Sequence, residues 1–150
     1  MSKDANKEIC KIININEDAR EFYQEAQEKA ENTTVKGIFK DFENLHQGVI
    51  INLQNHVRQN GGDPEADETF VGEVAEMWGK LRATLSPNTD ESLIASLEEA
   101  EDRCIHSIKE AIANDDLPAE ARSVLKREEA TLQKSHDYMK IMKDNVNAAA

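Results

Sequence analysis

The sequence predicts an all-α protein, a bundle of four long helices with an extended crossover in its middle. Two features of the 150 residues lead there. Only six glycines and three prolines interrupt the chain, and the stretches they leave are rich in Ala, Glu, Lys, Leu and Gln, which lose little freedom in a helix. Within those stretches apolar residues return every three or four positions, the period of a helix that buries one face.

The first helix is expected over 7–31, with Ile9, Ile12, Asn16, Ala19, Tyr23, Ala26 and Ala30 on one stripe. Asn32, Thr33 and Thr34 can then cap a second helix, over 34–60, by accepting from its free N–H groups. Its stripe is Ile38, Phe42, Leu45, His46, Val49, Leu53 and Val57. Gly61 and Gly62 offer left-handed conformations for its end, and Pro64 prevents continuation. A shorter helix over 67–85 carries Phe70, Val74, Trp78, Leu81 and Leu85, and Ser86, Pro87 and Asn88 stop it. The third long helix, over 90–114, starts at the cap-like Thr89 and Asp90 and buries Ile94, Leu97, Glu101, Cys104, Ile105, Ile108 and Ile112. Asp116 is the expected cap of the last helix, over 117–147, with Pro118 tolerated in its first turn. Ala121, Leu125, Glu128, Leu132, Met139, Met142 and Val146 form its stripe.

About 28 residues separate the second and third long helices, where a hairpin would need only a few. Such a segment can run the length of the bundle and carry the Trp78 helix with it, so the helices it joins point the same way. That is the ferritin-like connectivity, and no linker or repeat splits 1–150 into more than one domain.

Charge excludes several classes of partner. With 18 basic residues against 30 acidic ones the net charge is −12, which repels nucleic acid and anionic lipid where no basic stripe offsets it. The longest central apolar run is Val49, Ile50 and Ile51, far short of the roughly 20 residues that span a bilayer. Met1 to Lys11 lacks a signal-peptide core, and Cys10 and Cys104 on apolar stripes read as buried thiols rather than a disulfide framework. A cytoplasmic protein is expected, without a nucleic-acid or membrane partner.

Four stretches carry a resemblance: Trp78-Gly-Lys-Leu-Arg-Ala-Thr-Leu85, Glu98-Glu-Ala-Glu-Asp102, Asp116-Leu-Pro-Ala-Glu-Ala-Arg122 and Ser135-His-Asp137, with Gly61-Gly-Asp-Pro64 as a junction. Together they resemble an uncharacterised bacterial family of ferritin-like four-helix-bundle proteins, a "domain of unknown function" family. The resemblance implies the bundle and no established reaction. It supplies no ligand assignment for His46, Glu128 or Glu129.

Polar residues on inward faces are the candidates for chemistry, because an unpaired buried carboxylate is costly. Glu101 and Glu128 fall near the centres of their stripes, His46 lies on its own, and Glu43, Glu98 and His136 sit at edges. Counted from a shared end of co-directional helices, Glu43, His46, Glu98, Glu101 and His136 share a layer. Di-metal bundles take a Glu from each of two helices and Glu-x-x-His from the other two. Glu43-x-x-His46 fits one such element. The matching position before His136 is Gln133, and the first helix turns Asn16 inward rather than Asp18 or Glu21.

Three readings stand: a hydrogen-bonded polar layer that fixes helix register, a single-ion site drawn from Glu43, His46, Glu98, Glu101 and His136, and a complete di-iron centre. His56 and His106 point away from their stripes and are expected in solvent; Met77, Met139 and Met142 are expected to fill the core. No nucleophilic triad, CxxC or phosphate-cradling loop is present. The expected function is that of a non-enzymatic bundle acting through a protein partner, with a homodimer as one form. The alternative is a carboxylate and histidine protein that binds iron, manganese or zinc for storage or oxidation.

Overall fold

The computed structural model describes residues 3–65, 72–85 and 90–149. Among these, five helices form: α1 (Lys3–Lys29), α2 (Thr33–Gln59), α3 (Glu73–Ala83), α4 (Asp90–Ile112) and α5 (Ala119–Ala149), with no strand. The expected start of the crossover helix at Asp67, its Phe70, the Ser86 to Asn88 stop and the Thr89 cap lie outside the described residues. So does the side chain of Val146.

The stripes become the core. Ile9, Ile12, Ala19, Tyr23 and Ala26 of α1, Phe42, Val49, Leu53 and Val57 of α2, Ile94, Leu97 and Ile108 of α4, and Ala121, Leu125, Leu132 and Met139 of α5 are all buried. Leu45, Ile112 and Met142 are half-buried against them. Burial of this kind contributes on the order of 25 cal/mol per Å² of apolar surface, and it, more than intrinsic propensity, holds helices of this length together.

Contacts give the directions of the helices. Phe42 packs on Tyr138 with ring centroids 5.7 Å apart, while Asn52, ten residues further along α2, donates to Glu128, ten residues back along α5, at 3.1 Å. α2 and α5 are therefore antiparallel. α4 and α5 are also antiparallel across their short junction, so α2 and α4 run the same way. The segment between them accomplishes this by climbing α1. At its lower end the Cys10 thiol lies 3.6 Å from the Pro64 carbonyl oxygen. At its upper end Arg82 of α3 bonds to Glu21 at 3.3 Å and to Glu25. From Cys10 to Glu25 is about 22 Å of helix at 1.5 Å per residue. Trp78, fully buried, pins α3 against Phe22 and Tyr23 with centroids 5.5 Å and 5.8 Å away.

The helix ends show where local chemistry decides. Asn32 caps α2 by accepting from the Val35 N–H at 3.1 Å. Of the two junction glycines only Gly61 is left-handed, with φ at +77°. Gly62 answers to space instead: a Cβ there would stand 2.2 Å from the Asn6 amide nitrogen and 2.9 Å from Val57 Cγ1. α1 begins before the expected Lys7, at Lys3, which lets Ala5 and Asn6 pack against this turn. Asp116 does not cap α5. The Pro118 carbonyl accepts the first helical bond, from Arg122 N at 3.0 Å. The Asp116 N–H is taken by Asn114 at 3.0 Å. The Arg122 side chain holds this junction by donating to the Ile112 and Asn114 carbonyl oxygens at 3.0 Å and 2.9 Å.

Because Trp78 is the sole large anchor of α3 with no exposed surface, Trp78→Ala should lower the unfolding free energy by about 3–5 kcal/mol. Urea denaturation followed by circular dichroism measures it; a loss below 1 kcal/mol would show that α3 is not docked as described.

Candidate functional site

Near the middle of the bundle one carboxylate is buried among four helices. Glu101 of α4 has no exposed surface, nor has His46 of α2, and His46 Nε2 lies 2.8 Å from Glu101 Oε1. Tyr23 of α1 donates its hydroxyl to the same oxygen at 2.6 Å. Ser135 of α5 lies 3.2 Å from Oε2 and 2.7 Å from the Leu132 carbonyl oxygen, so its single hydroxyl proton is shared between the two acceptors. On the far side of the imidazole, Asn16 of α1 lies 2.8 Å from His46 Nδ1.

The proton positions follow from the Asn16 amide. Its nitrogen donates to the Ile12 carbonyl oxygen at 2.8 Å, which leaves its oxygen facing His46. Nδ1 must then carry a hydrogen, and the Nε2 to Oε1 contact holds the remaining proton. Burial opposes ionisation of Glu101, but the His46 charge and the bonds from His46, Tyr23 and Ser135 outweigh it and hold its carboxyl below the ordinary range. Aromatic rings enclose the pair: Tyr23 stacks on His46 with centroids 5.7 Å apart, and Trp78 meets the imidazole edge-on at 6.4 Å. Burial and the Glu101 charge push the Tyr23 phenol well above its usual value, and they push the Cys104 thiol up as well. Neither is poised as a nucleophile.

The five sequence-derived ligand candidates fall into three places. His46 and Glu101 meet in the centre. Glu43 lies on the α1/α2 seam, accepting from Gln27 at 3.1 Å and Lys40 at 3.0 Å. Glu98 and His136 meet on the α4/α5 seam, with His136 Nε2 3.7 Å from Glu98 Oε1 and also 3.7 Å from Asp102 Oδ1. Among the described residues, no group of three or more His, Cys, Asp or Glu side chains could hold a metal ion.

A family model described as a domain of unknown function (DUF2383) matches residues 4–114. The chain belongs to that family. No curated protein and no solved structure matches it. The span matched to DUF2383 runs from α1 to the end of α4 and so contains Asn16, Tyr23, His46 and Glu101, whereas Ser135 and His136 lie beyond it. Tyr23 and Ser135 are the partners that pattern reading overlooked. Both sit on inward faces, and a hydroxyl there is the signal that a buried acceptor stands opposite.

His56 is a correction: expected in solvent, it is 5% exposed. It lines a groove that α2 shares with Val124 and Glu128 of α5. His106 is exposed and pairs with Glu110 at 3.0 Å. Glu128, 4% exposed, is the second buried acid; burial raises its carboxyl despite the Asn52 hydrogen bond and the nearby Arg127 charge.

Two consequences are measurable. Removing one member strands a buried charge, so Glu101→Leu should cost about 3–5 kcal/mol, and adding His46→Leu should recover part of it; a double variant whose loss equals the sum of the single losses would show that the two groups do not interact. Glu101 is depressed in the folded state, so its contribution is complete above its unfolded pKa of about 4.3. It is lost as pH falls through the lower folded value. Acid titration of stability should show that loss in the wild type and not in the double variant.

Proposed function

We propose that the protein is a cytoplasmic, ferritin-like four-helix bundle that works without catalysis, by contact with protein, including a second copy of itself. The observation that carries this reading is the satisfied state of its centre. Every polar atom of the buried His46 and Glu101 side chains has a partner within the chain, so the pair offers no open coordination position or free base. A centre of that kind sets helix register, and activity then falls to the surface.

The α2/α5 flank supplies a surface suited to protein contact. Tyr138 and Ile141 of α5 are 42% and 57% exposed, unusual for side chains of their size. Tyr138 also lines an apolar hollow of about 220 Å³ with Phe42 and Leu45. Exposed aromatic and aliphatic groups beside a hollow are the ordinary anatomy of an interface core. No helix among the described residues is long and apolar enough to cross a membrane, which leaves this patch without a lipid-spanning role.

The second reading, binding of iron, manganese or zinc, would have to draw on His136, whose Nε2 lies 3.7 Å from both Glu98 and Asp102, although no group of three or more such side chains among the described residues is placed to hold an ion. An ion there would rest on seam residues rather than on the bundle centre.

Light scattering across a concentration series, with Fe(II) added in a parallel series, separates the two. The expected result is a mass that rises toward twice 16.9 kDa and returns to monomer in Tyr138→Glu/Ile141→Glu, with neither stoichiometric metal nor iron oxidation above the buffer control. A monomer at every concentration with tight metal that disappears in His136→Ala would overturn the proposal.

A further inference from the structure

At the other end of the α2/α5 seam from Tyr138 lies a polar groove of about 410 Å³, within the size range of small-molecule sites. Asn52, Asn55, His56 and Gln59 line it from α2, and Arg127 and Glu128 from α5. Two of these are more than nine-tenths buried and incompletely met. His56 Nε2 has no hydrogen-bond partner among the described residues. Glu128 takes a single bond, from the neutral amide of Asn52 at 3.1 Å. Arg127, next in sequence, is exposed and forms no ion pair with it among the described residues.

The groove presents a set of acceptors, and its one cationic side chain, Arg127, forms no ion pair with them among the described residues. A carboxylate, an imidazole nitrogen and the side-chain carbonyls of Asn52, Asn55 and Gln59 can all accept. An alkylammonium group brings three N–H donors, no acceptor and one positive charge. Such a group would give Glu128 a charged donor in addition to the neutral Asn52 amide and would lie against His56. A bare metal ion would use far less of the volume, and amides are poor partners for the transition metals that favour imidazole. The net charge of −12 raises the local concentration of any cation at the surface. We propose that the groove over His56 and Glu128 binds a small aliphatic amine in its ammonium form. This site goes beyond the protein-contact reading and does not depend on it.

The test is isothermal titration calorimetry of the full chain with 1,5-diaminopentane, paired with the carbon-bound proton signals of His56 in NMR. The expected result is saturable one-to-one binding that moves the His56 signals and leaves those of His106 in place. Tetramethylammonium, charged but without N–H, and 1,5-pentanediol, with hydroxyls but no charge, should each bind at least about tenfold more weakly, the loss of one charge-assisted hydrogen bond. Glu128→Gln keeps the side chain's size and removes the penalty of a buried charge, so its melting temperature should equal or exceed that of the wild type while diamine affinity falls by about tenfold or more. If that variant fails to fold, His56→Gln serves in its place. Absence of saturable diamine binding, equal affinity in the folded variant, or His56 shifts produced by Zn(II) and not by the amine would each overturn the proposal.

Discussion

A single buried carboxylate organises the bundle. Glu101 of α4 lies at the one depth where α1, α2 and α5 all supply a group for it: Tyr23, His46 and Ser135. A slip of any helix by one residue would rotate its contribution by about 100° and leave a charge unpaired in apolar surroundings. Apolar contacts alone tolerate such slips, since one aliphatic side chain replaces another with modest loss. The polar layer therefore specifies register, while the stripes of Ile, Leu, Val and Ala supply the bulk of the stabilisation.

The layer in turn requires the crossover. His46 and Glu101 can meet across the bundle with Tyr23 and Ser135 between them only if α2 and α4 lie on a diagonal and run the same way. Gly61, Gly62 and Pro64 turn the chain at one end, and Arg82 ties α3 to α1 at the level of Glu21 and Glu25. Trp78 closes the circuit, since it anchors α3 and also forms an edge-on wall of the His46 pocket. The element that makes the topology and the element that shields the charge are one side chain.

Periodicity made most of this legible. Three- and four-residue spacing identified the core face of each long helix, including the inward placement of Asn16, His46, Glu101 and Glu128, because burial follows angle around the helix and angle follows from sequence. What lies across a helix boundary did not come through. Pattern placed His56 in solvent because it points away from its stripe, yet it is buried beside a groove that α2 shares with α5. Gly62 read as a left-handed position at the helix end, but Asn6, 56 positions away in sequence, is what crowds out a side chain there. Asp116 had the chemistry of a cap, and the geometry of the Pro118 turn passed the role to another residue. The His56 and Gly62 misses turn on neighbours distant in sequence, and the Asp116 miss on the turn beside it.

The same angular argument explains why the candidate ligands diverge. At a given depth each helix of a four-helix bundle aims one residue at the axis. His46 and Glu101 occupy that position, and a step of three residues back turns the side chain about 60° away from it. Glu43 therefore reaches the α1/α2 seam and Gln27, while Glu98 reaches the α4/α5 seam and His136. The two other inward positions hold Asn16 and Ser135, a neutral amide and a neutral hydroxyl. The centre therefore holds a single carboxylate. Two divalent ions would need several carboxylates to balance them, whereas a fully bonded centre is what a purely architectural layer requires.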